Sequence, residues 1–190
     1  MSPMDPAENL TNHFLIAMPN LADPNFYHTV TYICDHNEEG AMGIVINRPL
    51  TMDLAELLSY LGVNQFSEDI GHTPIYQGGP VQTERGFVLH KPSGDWEATT
   101  HVSEQIDLTM SQDIIESIAR GQGPQHYLIC LGYAGWGKGQ LEREMVDNAW
   151  LNGPAETTII FEQPVEQRWN ASAKLLGVDI SQISHDIGHA

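Results

Sequence analysis

Positive charge is what this sequence lacks most. Its 190 residues carry 8 Lys plus Arg against 25 Asp plus Glu, a formal charge of −17. A field of that sign repels phosphate backbones and anionic headgroups, so nucleic acid is a disfavoured partner and no membrane association is expected. Cysteine is also scarce. Cys34 and Cys130 form neither a C-x-x-C pair nor a zinc-finger spacing. Both lie in apolar strand-like stretches, which suits buried, reduced thiols; a disulfide or redox switch would need the two strands to be close neighbours. No run of about 18 apolar residues occurs, and residues 1–9 show no basic segment leading into a long apolar one, so the expected compartment is the cytoplasm. The G-x-S-x-G elbow, the H-E-x-x-H helix and a Rossmann G-x-G-x-x-G after a strand are missing, which weakens the hydrolase, metalloprotease and dinucleotide classes. No metal or other cofactor is implied.

What is present is enough apolar material for one substantial core, with hydrophobic residues at 41%. We read residues 10–190 as a single domain preceded by a disordered tail over residues 1–9, with no linker, repeat or low-complexity tract. His13 to Met18 is a short apolar run. From Tyr27 to His36, period-two alternation sets His28, Val30, Tyr32, Cys34 and His36 on one face of a strand. Asn37 to Gly40 then makes a four-residue hairpin connection to a strand over Ala41 to Asn47. Asp53 with Glu56 three residues on caps a helix whose Leu54, Leu57, Leu58 and Leu61 recur at helical spacing before Gly62 stops it.

Ile75 to Gln77, Gly86 to His90 and Ala98 to Val102 follow as strands. Ser111 caps a helix bearing Ile114, Ile115 and Ile118 that ends at Gly121. His126 to Leu131 is a strand, and Leu141, Met145 and Ala149 mark a helix. Thr157 to Phe161 is β-branched and predicts another strand. Val165, Trp169, Ser172 and Leu176 mark a last helix closed by Gly177. Clustered strands followed by alternation with helices favour an α+β arrangement, with three or four helices around a mostly antiparallel sheet.

Between the strand ending at Leu131 and the helix near Gln140 lies Gly132-Tyr133-Ala134-Gly135-Trp136-Gly137-Lys138-Gly139, nearly the G-x-x-x-x-G-K phosphate loop. Gly139 occupies the place of the Mg²⁺-binding hydroxyl, and Glu142 and Glu144 at the helix start would repel a polyphosphate. The alternative is a tight strand-to-helix turn in which Tyr133 and Trp136 pack. A second glycine turn, Gly78-Gly79-Pro80, precedes Arg85. With Arg48 it offers a site for a carboxylate or phosphate if the loops meet; otherwise Arg85 serves a structural salt bridge.

Cys34 with His36 at i, i+2 is a candidate nucleophile or redox sensor without an identifiable orienting group. His28, on the same face, would make a metal site only with ligands from elsewhere, and His185 and His189 only on a helical tail. The candidate ligand-binding residues are therefore Arg48, Gly78, Gly79, Arg85, Gly132, Gly135 and Trp136; the candidate catalytic residues are Cys34 and His36.

The stretches FLIAMP at 14–19, GAMGIVINRP at 40–49, GGPV at 78–81, RGFVLH at 85–90, LGYAGW at 131–136, GQLE at 139–142 and NAWL at 148–151 resemble the AlgH-like, or YqgE-like, family of small bacterial proteins. The resemblance runs from about Leu10 to Ala190. It implies an α+β fold with a barrel-like, mixed, mostly antiparallel sheet flanked by helices, and no settled activity. Members carry the label uncharacterised or transcriptional regulator, and the charge of −17 makes any regulation indirect rather than through operator DNA. In the family pattern Lys138 falls at a variable position and Cys34 at the usual cysteine position, whereas Cys130 is peculiar to this chain. The expectation is a cytoplasmic binding or regulatory protein, leaning away from enzyme, that holds a small anionic ligand or a protein segment. The alternatives are a thiol-dependent enzyme or sensor at Cys34, and a direct DNA-binding regulator.

Overall fold

A computed structural model describes residues 9–178 except 20, 22 and 25; the N-terminal tail and the pair His185 and His189 fall almost wholly or wholly outside the described residues. Ten strands form one curled sheet. They are β1 (His13–Ala17), β2 (Val30–Asn37), β3 (Gly40–Val45), β4 (Pro49–Asp53), β5 (Pro74–Gln77), β6 (Val81–His90), β7 (Thr99–His101), β8 (Asp107–Thr109), β9 (Tyr127–Trp136) and β10 (Trp150–Pro154). Their order is β10-β1-β2-β3-β9-β6-β8-β7, with β4 attached through β5, which runs parallel to β9 while every other pairing is antiparallel. The result is a half-barrel flanked by α1 (Leu54–Tyr60), α2 (Glu68–Gly71), α3 (Gln112–Ala119), α4 (Gln140–Val146), α5 (Thr157–Phe161) and α6 (Arg168–Leu175).

Three apolar clusters follow from strands that are buried on both faces. Tyr32, Ile44, Phe87, Leu89, Leu128 and Cys130 fill the concave side and meet Ile159, Ile160 and Ala173 of α5 and α6. The alternate residues Ile75, Val88 and Ile129 pack against α1 and α3. Leu15, Ile33, Ala134 and Trp136 pack with Leu141 of α4 and with Trp150. Strand β9 contributes to all three.

The capped helix forms as its spacing predicts: the Asp53 carboxylate accepts from the Glu56 N–H, and Leu54, Leu57 and Leu58 are buried. Four expectations are corrected. Thr157 to Phe161 is helix α5, not a strand, because burying Ile159 and Ile160 in the concave core outweighs the weak β preference of so short a run. The helix begun at Gln140 stops at Val146, where Asn148 adopts φ 58° and the Ala149 N–H returns to the Glu144 carbonyl, so Ala149 leads instead into β10. The hairpin after β2 is tighter than four residues, since Asn37 pairs with Gly40 and the Asn37 side chain accepts from Glu39 N–H at 2.7 Å. Finally, the glycine-rich run is not a loop. Gly132 to Trp136 belongs to β9, and the turn is confined to Gly137–Gly139.

The two glycine segments meet backbone against backbone. Gly78 donates its N–H to Leu131 of β9 and accepts from Val45 N–H of β3, both at 2.8 Å, so one residue stitches β3, β5 and β9 together. A Cβ on Gly78 would stand 2.4 Å from the Gly132 carbonyl oxygen, and one on Gly79 would stand 2.0 Å from the Tyr133 carbonyl carbon. Nothing but glycine fits there. Gly79→Ala is therefore expected to cost at least about 3 kcal/mol or to abolish folding, whereas Gly62→Ala, at φ 76° with open space around its Cβ, costs only about 1 kcal/mol. Urea denaturation of the two variants checks the contrast.

Candidate functional site

A cavity of about 580 Å³ opens at the mouth of the half-barrel, where β2, β3, β6, β8 and β9 present their concave side. Buried Cys34, Phe87 and Leu108 with half-buried Met42, Met110 and Tyr133 supply its apolar wall. Exposed Asp35, Gln82, Arg85 and Thr100 supply its polar rim. Arg85 is there because β6 breaks register between Val81 and Gly86, so residues 82–85 bulge away from β9, with Gln82 at φ 49°. Its guanidinium lies 5.6 Å from the Phe87 ring centroid and donates to the Gln82 side chain at 3.4 Å. Among the described residues no carboxylate comes within 4.0 Å of it, so the structural salt bridge that acidic neighbours would permit is not made.

Cys34 and His36 do not share a face. A bulge between Ile33 and Asp35 leaves Cys34 as the extra residue of β2 and turns Asp35 into the cavity. His36 then emerges on the side of Ile33. Its Nδ1 accepts from the Leu10 N–H at 3.0 Å, which leaves the proton on Nε2 to be donated to Glu142 of α4 at 2.5 Å. That imidazole is a tie between the N-terminal segment, β2 and α4, with no route to the thiol. Cys34 is 4% exposed. Burial, with smaller contributions from Cys130 and Asp35, pushes its thiol far above the ordinary range. Cys130 is raised likewise by burial. The two thiols are free and face one core, on strands separated by β3.

Trp136 packs 6.0 Å from Phe26 and 6.2 Å from Trp150, ring centre to ring centre. Both indole N–H groups donate to one oxygen of Glu144, at 3.1 and 2.9 Å, while Gln140 donates to the other oxygen. Glu142 and Glu144 are thus engaged by side chains of the protein itself. Gly135, exposed, lines the cavity, but Gly78, Gly79 and Gly132 are buried at the strand crossing. Arg48 is held elsewhere, donating to the Tyr27 carbonyl at 3.1 Å next to Asn47, which brackets the same turn through His28 and Val30. His28 sits between Tyr27 and Trp169 in a three-ring stack, at 3.8 and 4.0 Å. No group of three or more His, Cys, Asp or Glu among the described residues is placed to hold a metal.

The predicted set therefore divides. Cys34, Arg85, Gly135 and Trp136 line one cavity; His36, Arg48, Gly78, Gly79 and Gly132 hold the fold around it. Asp35 was missed because a bulge leaves no local trace. Arg168, 5% exposed, was missed although it shares the helical spacing of Val165, Trp169 and Ser172, where a buried cation is unusual.

Residues 14–181 match the AlgH-like family. A UPF0301 protein of Nitrosococcus oceani is 54% identical over 179 residues, covering 94% of this chain and 96% of the relative. Another, from Thioalkalivibrio sulfidiphilus, is 54% identical over 187 residues, or 98% of this chain and all of the relative. The solution structure of the AlgH protein from Pseudomonas aeruginosa superposes with a TM-score of 0.81 at 50% identity, covering 97% of each chain. A Corynebacterium diphtheriae protein of known crystal structure shares the fold, with a TM-score of 0.70 at 17% identity over 92% of this chain and 90% of that one.

Buried thiols with raised pKa react slowly, so iodoacetamide at pH 8 is expected to label Cys34 and Cys130 at least about a hundredfold more slowly in the native protein than after unfolding. His90 yields a second expectation. Its Nδ1 donates to the Lys91 carbonyl and its Nε2 accepts from Thr109. Burial lowers its pKa below the usual 6.5, partly countered by the Lys91 bond and Asp107, while His101 adds to the lowering. The unfolded chain then binds the extra proton first, so stability holds above about pH 6.5 and falls below it. Melting temperatures from pH 7.5 to 5 should show that decline, and it should shrink in His90→Gln.

Proposed function

The chain belongs to the AlgH-like family, and we propose that it is a cytoplasmic binding module, without catalytic chemistry of its own, whose half-barrel mouth takes a small amphipathic anion. The observation that carries this reading is Arg85, set by a bulge at the rim of an apolar cavity with Phe87 beside it and, among the described residues, no carboxylate within ion-pair distance. A volume near 580 Å³ is that of ordinary small-molecule sites. Met42 and Met110 give part of the wall an adaptable surface, and Gly135 lets a ligand approach the backbone. Asp35 at the same rim opposes a second negative charge, which favours a monocarboxylate with an apolar body over a polyphosphate.

The thiol reading has the burial of Cys34 and the diversion of His36 to Glu142 against it. A direct DNA-binding role has the charge of −17 against it.

Calorimetric titration with octanoate, octanol and octylammonium tests the assignment. Octanoate is expected to bind saturably, and Arg85→Gln to weaken it by about tenfold. Equal affinity for octanol, or an Arg85→Gln protein that binds octanoate as well as the original, would remove the anionic half of the proposal; no heat with any of the three would remove the cavity as a small-molecule site.

A further inference from the structure

We infer that the other end of β9 carries a second binding site, a pocket for a small oxyanion built on Arg168. The pocket measures about 300 Å³ and lies where the first residues of β5 and β9 meet α5 and α6, with Thr73, Tyr76, Gln125, His126, Phe161 and Arg168 in its wall. Strand β9 reaches it through Tyr127 to Ile129 and reaches the larger cavity through Tyr133 to Trp136, so the two openings are separated along one strand.

Arg168 is 5% exposed. Its Nε donates to the Gln163 carbonyl at 3.0 Å, one Nη donates to the Ile46 carbonyl, and the guanidinium stands 5.1 Å from the Tyr76 ring centroid. These contacts orient the cation without neutralising it, because carbonyls and a ring face are dipoles and quadrupoles rather than charges. Among the described residues no carboxylate lies within 4.0 Å of it. Nor does any Asp or Glu among the described residues line the pocket. Arg168 is therefore the permanent charge in the pocket's wall, where an anion would meet it directly. The two carbonyl bonds use only part of the guanidinium fork, and the remaining N–H groups are the natural seat for a planar or tetrahedral oxyanion. His126 and Gln125, in the same wall, carry further side-chain donors. The volume has room for inorganic phosphate or a short carboxylate.

The test is a ¹⁵N NMR titration of the full chain with sodium acetate and, separately, with sodium phosphate, at constant ionic strength against sodium chloride. Saturable shifts of the Arg168 Nε–H and the Tyr127 amide with either oxyanion, absent with chloride, support the site and identify which oxyanion it takes. His126→Ala leaves the carbonyl clamp of Arg168 intact and is expected to weaken binding by roughly tenfold; Arg168→Lys keeps the charge, loses the fork and should weaken it further. Arg85→Gln should change nothing here. Signals at Arg168 unmoved by both oxyanions, moved equally by chloride, or responding unchanged in His126→Ala would overturn the inference, and the His126 variant decides should Arg168→Lys fail to fold.

Discussion

The passage of Gly78 and Gly79 across β9 is the contact on which the rest of the molecule depends. With no side chain on either residue, the chain leaving β5 comes within hydrogen-bonding distance of both β3 and β9. At that point β9 exchanges one neighbour for another. Its first half pairs with β5, its second half with β3, and Gly132 at φ 77° bends the strand between them. Before the exchange, alternate residues of β9 enter two apolar clusters, and beyond it Ala134 and Trp136 enter the third, so the sheet curls rather than lying flat. A substituent at this crossing would have to displace backbone, which a packed sheet cannot yield cheaply.

The irregularities that accompany the curl also make the sites. One bulge in β2 turns Asp35 into the mouth and releases His36 to the opposite face, and one in β6 lifts Arg85 onto the rim. Regular strands would have filled the mouth with alternating side chains; the bulges leave it open and bring polar groups to its edge. Arg168 meets a different balance. Its burial costs several kcal/mol of desolvation, offset by two carbonyls at strand and helix ends and by the face of Tyr76. Glu144 shows the same logic in reverse, a carboxylate occupied by two indole donors, so that the tryptophans around it stand fixed.

Helix α1 was legible in full because its determinants are local: a capping aspartate, leucines at helical spacing and a terminal glycine all act within a few residues. Helix α3 was legible for the same reason, although Ser111 bonds to Asp113 rather than capping through its side chain. Helix α5 was not, since a five-residue β-branched run has little local preference and the core it enters is assembled from strands far away in sequence. The glycine-rich run matched a phosphate-loop spacing letter for letter up to Lys138, yet most of it is strand, because the ladder to β3 and β6 satisfies its backbone. Cys34 and His36 were placed together by an alternation that holds only while no residue is inserted, and a single bulge separates them.

By itself, the sequence determined the acidity that sets nucleic acid at a disadvantage, the caps and stops of the local helices, and the segments that carry the family resemblance. Each is a property of composition or of residues a few positions apart. The tertiary structure alone decided that Gly78 and Gly79 serve a strand crossing, that Arg85 and Cys34 share a cavity, and that His36 answers Glu142 across 106 positions and Arg168 answers Ile46 across 122. Such partners are chosen by the packing of the whole sheet, where one bulge or one shared glycine redirects every side chain beyond it, and no local preference in the chain encodes that choice.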